Sequence, residues 1–298
     1  MKRFAVAGIQ MPVSAFDENI TQMNRYLAHV RHRFPWVNMV MFSELAAFGP
    51  SPAKAVEMPG ADEIRLCEMA ARHGLWLIPG SLFERRDGAI YNTAPVIDPG
   101  GNVVARFRKL FPFRPYEQGI AAGNEFVVFD VPDAGRFGVS ICYDMWFPET
   151  TRTLVAMGAE VILHPTMTDT IDRDIELSIV RASAATNQVY FFDINGVGDG
   201  GVGRSIVVDP SGYVLHEASS SAAEIIPVEI DFDKVRRERE CGLRGLGQPL
   251  KSFRDREVEF PVYQRESGTD AYLHTLGKLV KPGISEDTQP QVSGPAGG

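Results

Sequence analysis

The stretch Arg136-Phe-Gly-Val-Ser-Ile-Cys142-Tyr-Asp-Met-Trp-Phe-Pro148 reads as an apolar strand that ends at a cysteine and gives way, within five residues, to a helix start. Pro148 suits a first helical turn, where its missing N–H costs nothing, and Gly158 stands at the exit. A side chain at such a strand-to-helix corner is presented to solvent, and the positive end of the helix dipole favours a thiolate there. The N–H that follows, from Tyr143, is placed to donate to an oxyanion, a geometry like that of a nucleophile elbow, although the sequence is not Gly-x-Ser-x-Gly. Free cysteine is also among the most buried residue types, so Cys142 by itself reads as a packed strand end before it reads as a nucleophile.

Working outward, the same strand-then-helix rhythm fills the chain. Residues 3–9, 37–42 and 75–82 are short apolar runs, the last closed by Pro79-Gly80. Between the first two, Phe16, Ile20, Met23, Leu27 and Val30 recur at spacings of three and four, with Asp17 placed to cap, which predicts an amphipathic helix. A second helix is predicted over 61–73, a third over 147–157, and a fourth over 172–187 with Ile175, Ile179 and Ala182 on one face. Strands are predicted at 90–97, 102–108, 126–131, 136–142, 161–163, 189–194, 204–209 and 224–230, with Asp98-Pro-Gly-Gly101 as a hairpin turn. Sheets interleaved with helices and joined partly by hairpins predict one layered α/β sandwich, helices covering its outer faces. No internal repeat or linker divides it, and residues 281–298, rich in Pro, Gly, Ser and Gln, read as a disordered tail after a domain of residues 1–280.

The 298 residues are 44% apolar and 23% charged, ordinary values that exclude collagen-like, coiled-coil and wholly disordered chains. A net charge of −8 gives no footprint for nucleic acid or an anionic membrane, which leaves small molecules as the default partners. Three cysteines, an odd count in a long chain, argue against a disulfide framework and for a reducing compartment. The run Phe4–Ile9 is too short for a signal-peptide core, and no stretch approaches the roughly 20 apolar residues of a spanning helix. A cytoplasmic location is expected.

Two more residues sit where Cys142 sits. Glu44 follows Met39-Val-Met-Phe-Ser, and Lys109 closes Val103-Val-Ala-Arg-Phe-Arg, each at the exit of a predicted core strand. Alone, either is an ordinary solvated charge. Together, an acid, an amine and a thiol converge on one sheet edge if their strands run in the right directions, and ligands of α/β folds favour such edges.

Those three islands, Phe42-Ser-Glu44-Leu, Arg108-Lys109-Leu-Phe-Pro and Gly138-Val-Ser-Ile-Cys142-Tyr-Asp-Met-Trp-Phe-Pro-Glu149, resemble the nitrilase superfamily of carbon–nitrogen hydrolases, in its amidase-like branch. Weaker matches follow at Arg181-Ala, Asn187, Asn195-Gly196, Gly203-Arg-Ser205 and Asp209-Pro-Ser-Gly212, so the resemblance spans about residues 3–230. It implies a four-layer α-β-β-α sandwich, no cofactor and no metal, and a homodimer or larger homo-oligomer. It also implies that Cys142 is the nucleophile, Glu44 the general base, and Lys109 with the Tyr143 N–H the oxyanion stabiliser. Glu117, in Phe-Pro-Phe-Arg-Pro-Tyr-Glu, matches the second glutamate of family amidases, placed to hold the lysine and substrate and assist leaving-group protonation.

Cys142-Tyr-Asp144 is similar to the amidase branches rather than to nitrilases, which usually carry Cys-Trp-Glu. The resemblance therefore implies hydrolysis of a linear carboxamide to an acid and ammonia through a thioester. N-carbamoyl amide hydrolysis, nitrile hydrolysis and a silent binding or scaffold role are the alternatives. Met145-Trp146 stands where many relatives place a carboxylate-gripping arginine, which disfavours a carboxylate-bearing substrate unless Arg114 or another cation serves. Trp146, Tyr116 and Met167 are candidate pocket walls, with core packing as the alternative. Gly196-Val-Gly-Asp-Gly-Gly201 satisfies Gly-x-Gly-x-x-Gly, yet the strand predicted from Arg204 leaves no helix N-terminus for a pyrophosphate. The six histidines lack zinc spacing, and His164 is expected at a strand end on the pocket rim. Lys234-Val-Arg-Arg-Glu-Arg-Glu reads as a solvated helix face, and Cys67 and Cys241 as structural.

Overall fold

Alternation along single strands builds three apolar layers. In the strand Phe4–Gln10, Phe4 and Val6 point into one core while Ala5, Ala7 and Ile9 point into another. In Met39–Phe42, Met39 and Met41 join the first core and Val40 and Phe42 the second. Successive strand side chains face opposite ways, so a continuous apolar run is covered on both faces. A computed structural model describes residues 3–264 and 268–281, which fall into two compact units. The larger holds residues 3–112 and 119–255; the smaller holds 113–118, 256–264 and 268–281. Of the expected tail, 281–298, all but Lys281 lies outside the described residues.

The larger unit contains a nine-stranded and a six-stranded sheet. Their facing sides share one core, in which Phe4, Met41 and Phe107 of the first meet Phe137, Leu163 and Phe192 of the second. Helices α1 (Ile20–Arg33) and α2 (Ala61–His73) cover the outer face of the first sheet through Met23, Leu27 and Leu66. Helices α3 (Pro148–Ala156) and α4 (Arg173–Asn187) cover the second through Leu154 and Val180. This is the expected four-layer sandwich. Each fully buried Leu or Val on these helices contributes roughly 1.5–3 kcal/mol.

Strand direction positions the site. Phe4–Gln10, Met39–Phe42 and Trp76–Ile78 run parallel. Ala89–Ile97 is antiparallel to Trp76–Ile78 and also to Val103–Arg108, so Val103–Arg108 exits at the same edge as Met39–Phe42. In the second sheet Arg136–Val139, Val161–Pro165 and Tyr190–Ile194 are parallel. The residues that follow these strands are Glu44, Lys109, Cys142, Thr166 and Asn195.

Several boundaries differ from expectation for local reasons. The run 75–82 is two strands, Trp76–Ile78 and Leu82–Arg86, because Gly80 turns at φ +80°. A Cβ there would stand 1.8 Å from the Ser43 carbonyl oxygen, so only glycine permits the approach. Helix α1 starts at Ile20 rather than under Asp17. Asn19 and Ser14 exchange hydrogen bonds of 3.0 Å, the Asp17 carboxylate accepts from the Ser14 hydroxyl, and Phe16 is left 87% exposed. Helix α4 buries Leu177, Val180 and Ala184 instead of the Ile175, Ile179, Ala182 face, because charged Arg173 and Glu176 belong to its buried side. The strand Val214–Glu217 was not expected; its side chains are largely exposed, so no apolar run marks it.

In the smaller unit, the Phe113 ring stacks on Tyr116 at 5.0 Å, and the Lys281 ammonium stands 5.1 Å over Tyr116. Short turns Pro261–Tyr263 and Leu273–Leu276 supply its regular structure among the described residues.

Candidate active site

Glu44 is placed by backbone bonds on both sides. Its N–H donates to the Thr166 carbonyl at 3.1 Å, and the next N–H, of Leu45, donates to the Ser81 hydroxyl at 3.1 Å. The carboxylate, 2% exposed, accepts at Oε1 from the Asn92 amide at 2.7 Å and from the Lys109 ammonium at 3.0 Å. Lys109 itself is 1% exposed, and its N–H donates to the Asn92 carbonyl at 2.8 Å. Asn92 thus holds the carboxylate with its side chain and the lysine-bearing strand end with its backbone. A buried ion pair persists only when paired and hydrogen-bonded in this way.

Cys142 opens a one-turn helix, Cys142–Trp146, at φ +46°. That region costs a non-glycine residue on the order of 1–3 kcal/mol and clusters at functional sites. The side chain is buried, and burial, followed by the charge of Glu44, pushes the thiol well above its usual range despite Lys109 and a hydrogen bond with Thr166. The resting sulfur is therefore a thiol, not the dipole-stabilised thiolate expected from the sequence. Helix α3 begins only at Pro148, beyond the one-turn helix, so its dipole acts from a distance while desolvation acts at the sulfur. Such a thiol needs a base.

Asp144 ties the two strand ends together. Its Oδ2 accepts from the Ile141 N–H at 2.9 Å, and its Oδ1 from those of Leu110 at 3.1 Å and Phe111 at 2.8 Å. The residue before the cysteine and the residues after the lysine are thus held by one carboxyl, fully buried and pushed by that burial up to about 7. Phe111 also stacks on Phe147 at 3.6 Å.

Of the other expected residues, Tyr143 follows the cysteine with its ring edge-on to Phe147, and half-buried Met167 packs against Leu45, Phe83 and Ile120. Trp146 sets its indole N–H 3.5 Å from Glu176 Oε1. Tyr116 and Glu117 belong to the smaller unit, where both N–H groups donate to the Phe113 carbonyl. His164 is not on a rim: it is fully buried, 2.7 Å from the Ser140 hydroxyl, and burial lowers it to about 3, so it stays neutral. The Gly196–Gly201 segment forms a two-residue strand against Pro12–Val13 and leads to no helix.

Sequence reasoning missed the polar shell. Asn92 was legible as a polar residue inside an apolar strand, but Thr166, Thr168, Arg173, Glu176 and Asp193 carry no local signal. Arg173 pairs with Glu176 at 3.2 Å and with Asp193 at 2.8 Å, all three buried. In sequence, Arg173 and Glu176 look like a solvated i,i+3 pair.

A strand-end glutamate paired with a lysine, beside a strained cysteine in a four-layer sandwich, defines a class, and the chain belongs to it: residues 3–240 match the model of the carbon-nitrogen hydrolase family. Among individual relatives, it is 31% identical to the deaminated glutathione amidase of Dictyostelium discoideum, over 63% of this chain and 71% of that protein. It is 28% identical to the omega-amidase of Homo sapiens, over 80% and 93%. In fold it matches Nit3 of Saccharomyces cerevisiae, a member of branch 10 of the nitrilase superfamily, with a TM-score of 0.73 at 24% identity, over 80% and 94%.

Proposed function

We propose that the protein is an amidase that hydrolyses a linear carboxamide to a carboxylic acid and ammonia through a Cys142 thioester. The observation that carries this is the buried Glu44–Lys109 pair, 3.0 Å apart, at the sheet edge where the Cys142 strand also ends. Glu44 removes the thiol proton as Sγ attacks the amide carbon, and the new oxyanion is met by the Lys109 ammonium and the Tyr143 N–H. Collapse breaks the C–N bond, the nitrogen takes the proton from Glu44, and ammonia leaves the thioester. Water, deprotonated by Glu44, then attacks the thioester carbon, and the acid departs as the sulfur is reprotonated.

The role of Glu117 rests on the sequence resemblance, and E117Q tests it by kcat. The reading as a whole is tested by ammonia release across amides, N-carbamoyl compounds and nitriles, with C142A alongside. Amides are expected to turn over fastest and C142A to lose all measurable activity. Turnover by C142A equal to the parent overturns the thioester, and carbon dioxide release or a preference for nitriles overturns the substrate class.

A further inference from the structure

A second carboxylate stands beside the nucleophile. Helix α4 packs against the one-turn helix Cys142–Trp146. From that helix, Glu176 Oε1 accepts from the Thr168 hydroxyl at 3.0 Å and faces the Trp146 indole N–H. The Thr168 hydroxyl is 3.5 Å from that of Thr166, whose carbonyl receives the Glu44 N–H. A file of polar groups therefore runs from the Glu44 strand end to Glu176. Lys109 pairs with Glu44 and Arg173 with Glu176, while burial pushes the third carboxyl, Asp193, up to about 7, so Glu176 is the second carboxylate held close to the Cys142 turn.

We propose that Glu176 makes the surroundings of Cys142 negative, so that the substrate is an uncharged or cationic amide and one carrying its own carboxylate near the reacting carbon is turned away. The Cys142 thiol senses this field, since Glu176 adds to Glu44 in raising it. Like charges forced together at a desolvated site cost far more than in water, and rejection of a wrong partner by such repulsion is a common source of specificity.

This inference rests on the amidase reading for its substrate class, and two measurements keep the failures apart. The first compares butyramide with its analogues in which the terminal methyl is replaced by a carboxylate (succinamate) or an ammonium (β-alaninamide). In the parent, kcat/KM for succinamate is expected at least tenfold below that for butyramide, with β-alaninamide equal or better. In E176Q the succinamate deficit should narrow about fivefold.

The second needs no turnover. Iodoacetamide and iodoacetate alkylate a thiolate alike, the sulfur displacing iodide, but only iodoacetate is an anion. Their rate ratio at Cys142 is expected to exceed that at exposed Cys241 by at least tenfold, and to narrow several-fold in E176Q. W146R, which sets a cation beside Glu176 without touching Arg173, should narrow it in the same direction, and serves if E176Q does not fold. Absence of ammonia release from every amide overturns the amidase reading while the alkylation ratio still reads the charge. A ratio unchanged by both variants, or a parent that prefers succinamate, overturns the role of Glu176.

Discussion

Two buried charge clusters lie in the larger unit, and they differ in what their cation can do. Around Lys109, an ammonium meets Glu44 Oε1 at the end of two strands of one sheet. Around Arg173, one guanidinium nitrogen, Nη1, meets both Glu176 and Asp193, while Nη2 donates to the Arg204 carbonyl at 2.7 Å. An ammonium is a compact charge that turns about its last bond, so it can follow negative charge as it develops on a reacting oxygen. A planar guanidinium held from two of its nitrogens orients its partners and stays there. The first cluster is suited to chemistry and the second to holding helix α4 against the strand Tyr190–Ile194, although both are equally dry.

The comparison is broken most severely at its reactive half. E44Q keeps the shape but removes the carboxylate proposed as base, and a kcat loss of about 10³-fold or more is expected from ammonia release. K109R keeps the charge but replaces the turning ammonium with a fork, and should cost about 10²–10³ in kcat with a smaller change in KM. If K109R works as well as the parent, the distinction between the two cations is wrong. At the other cluster, R173A leaves two buried carboxylates unanswered, and a loss of about 3–5 kcal/mol is expected in urea unfolding.

The tie between the sheets comes next. D144N turns one N–H acceptor into a donor facing another donor, and about 10–100-fold in kcat should be lost while the fold persists. His164 then sharpens the contrast through pH. Its folded value, about 3, lies below the unfolded 6.5, so the unfolded chain binds the extra proton between them and stability falls with acid across that window. About 2 kcal/mol should be lost between pH 7 and pH 5, and H164N should flatten that slope in urea titrations. Smallest of all, Phe16→Ser on the exposed turn before α1 should stay within about 0.5 kcal/mol.

Much of this was legible before any coordinates. Apolar runs of four to seven residues identified the central strands, and the helix Ala61–His73 was delimited at both ends, since Gly74 turns left-handed at its C-terminus. Glu44, Lys109 and Cys142 each stand where a core strand stops, and the family resemblance of the islands around them singled them out from ordinary strand ends. The register of α4 was misread because its buried side carries charge, and a hydrophobic period counts only apolar residues. His164 was misplaced for the related reason that a polar residue at a strand end gives no sign of whether water reaches it.

The layers follow from alternation, a property of neighbours along the chain, and the candidate reactive side chains from three short islands that resemble a known family. Folding alone makes burial hold Cys142 as a thiol, sets the Asp144 clamp between the cysteine turn and the lysine strand, and brings Glu176 up to Thr168 and Trp146. Those outcomes depend on desolvation and on groups that meet across about 30 to 100 residues of chain, and neither quantity exists until the two sheets close on one another.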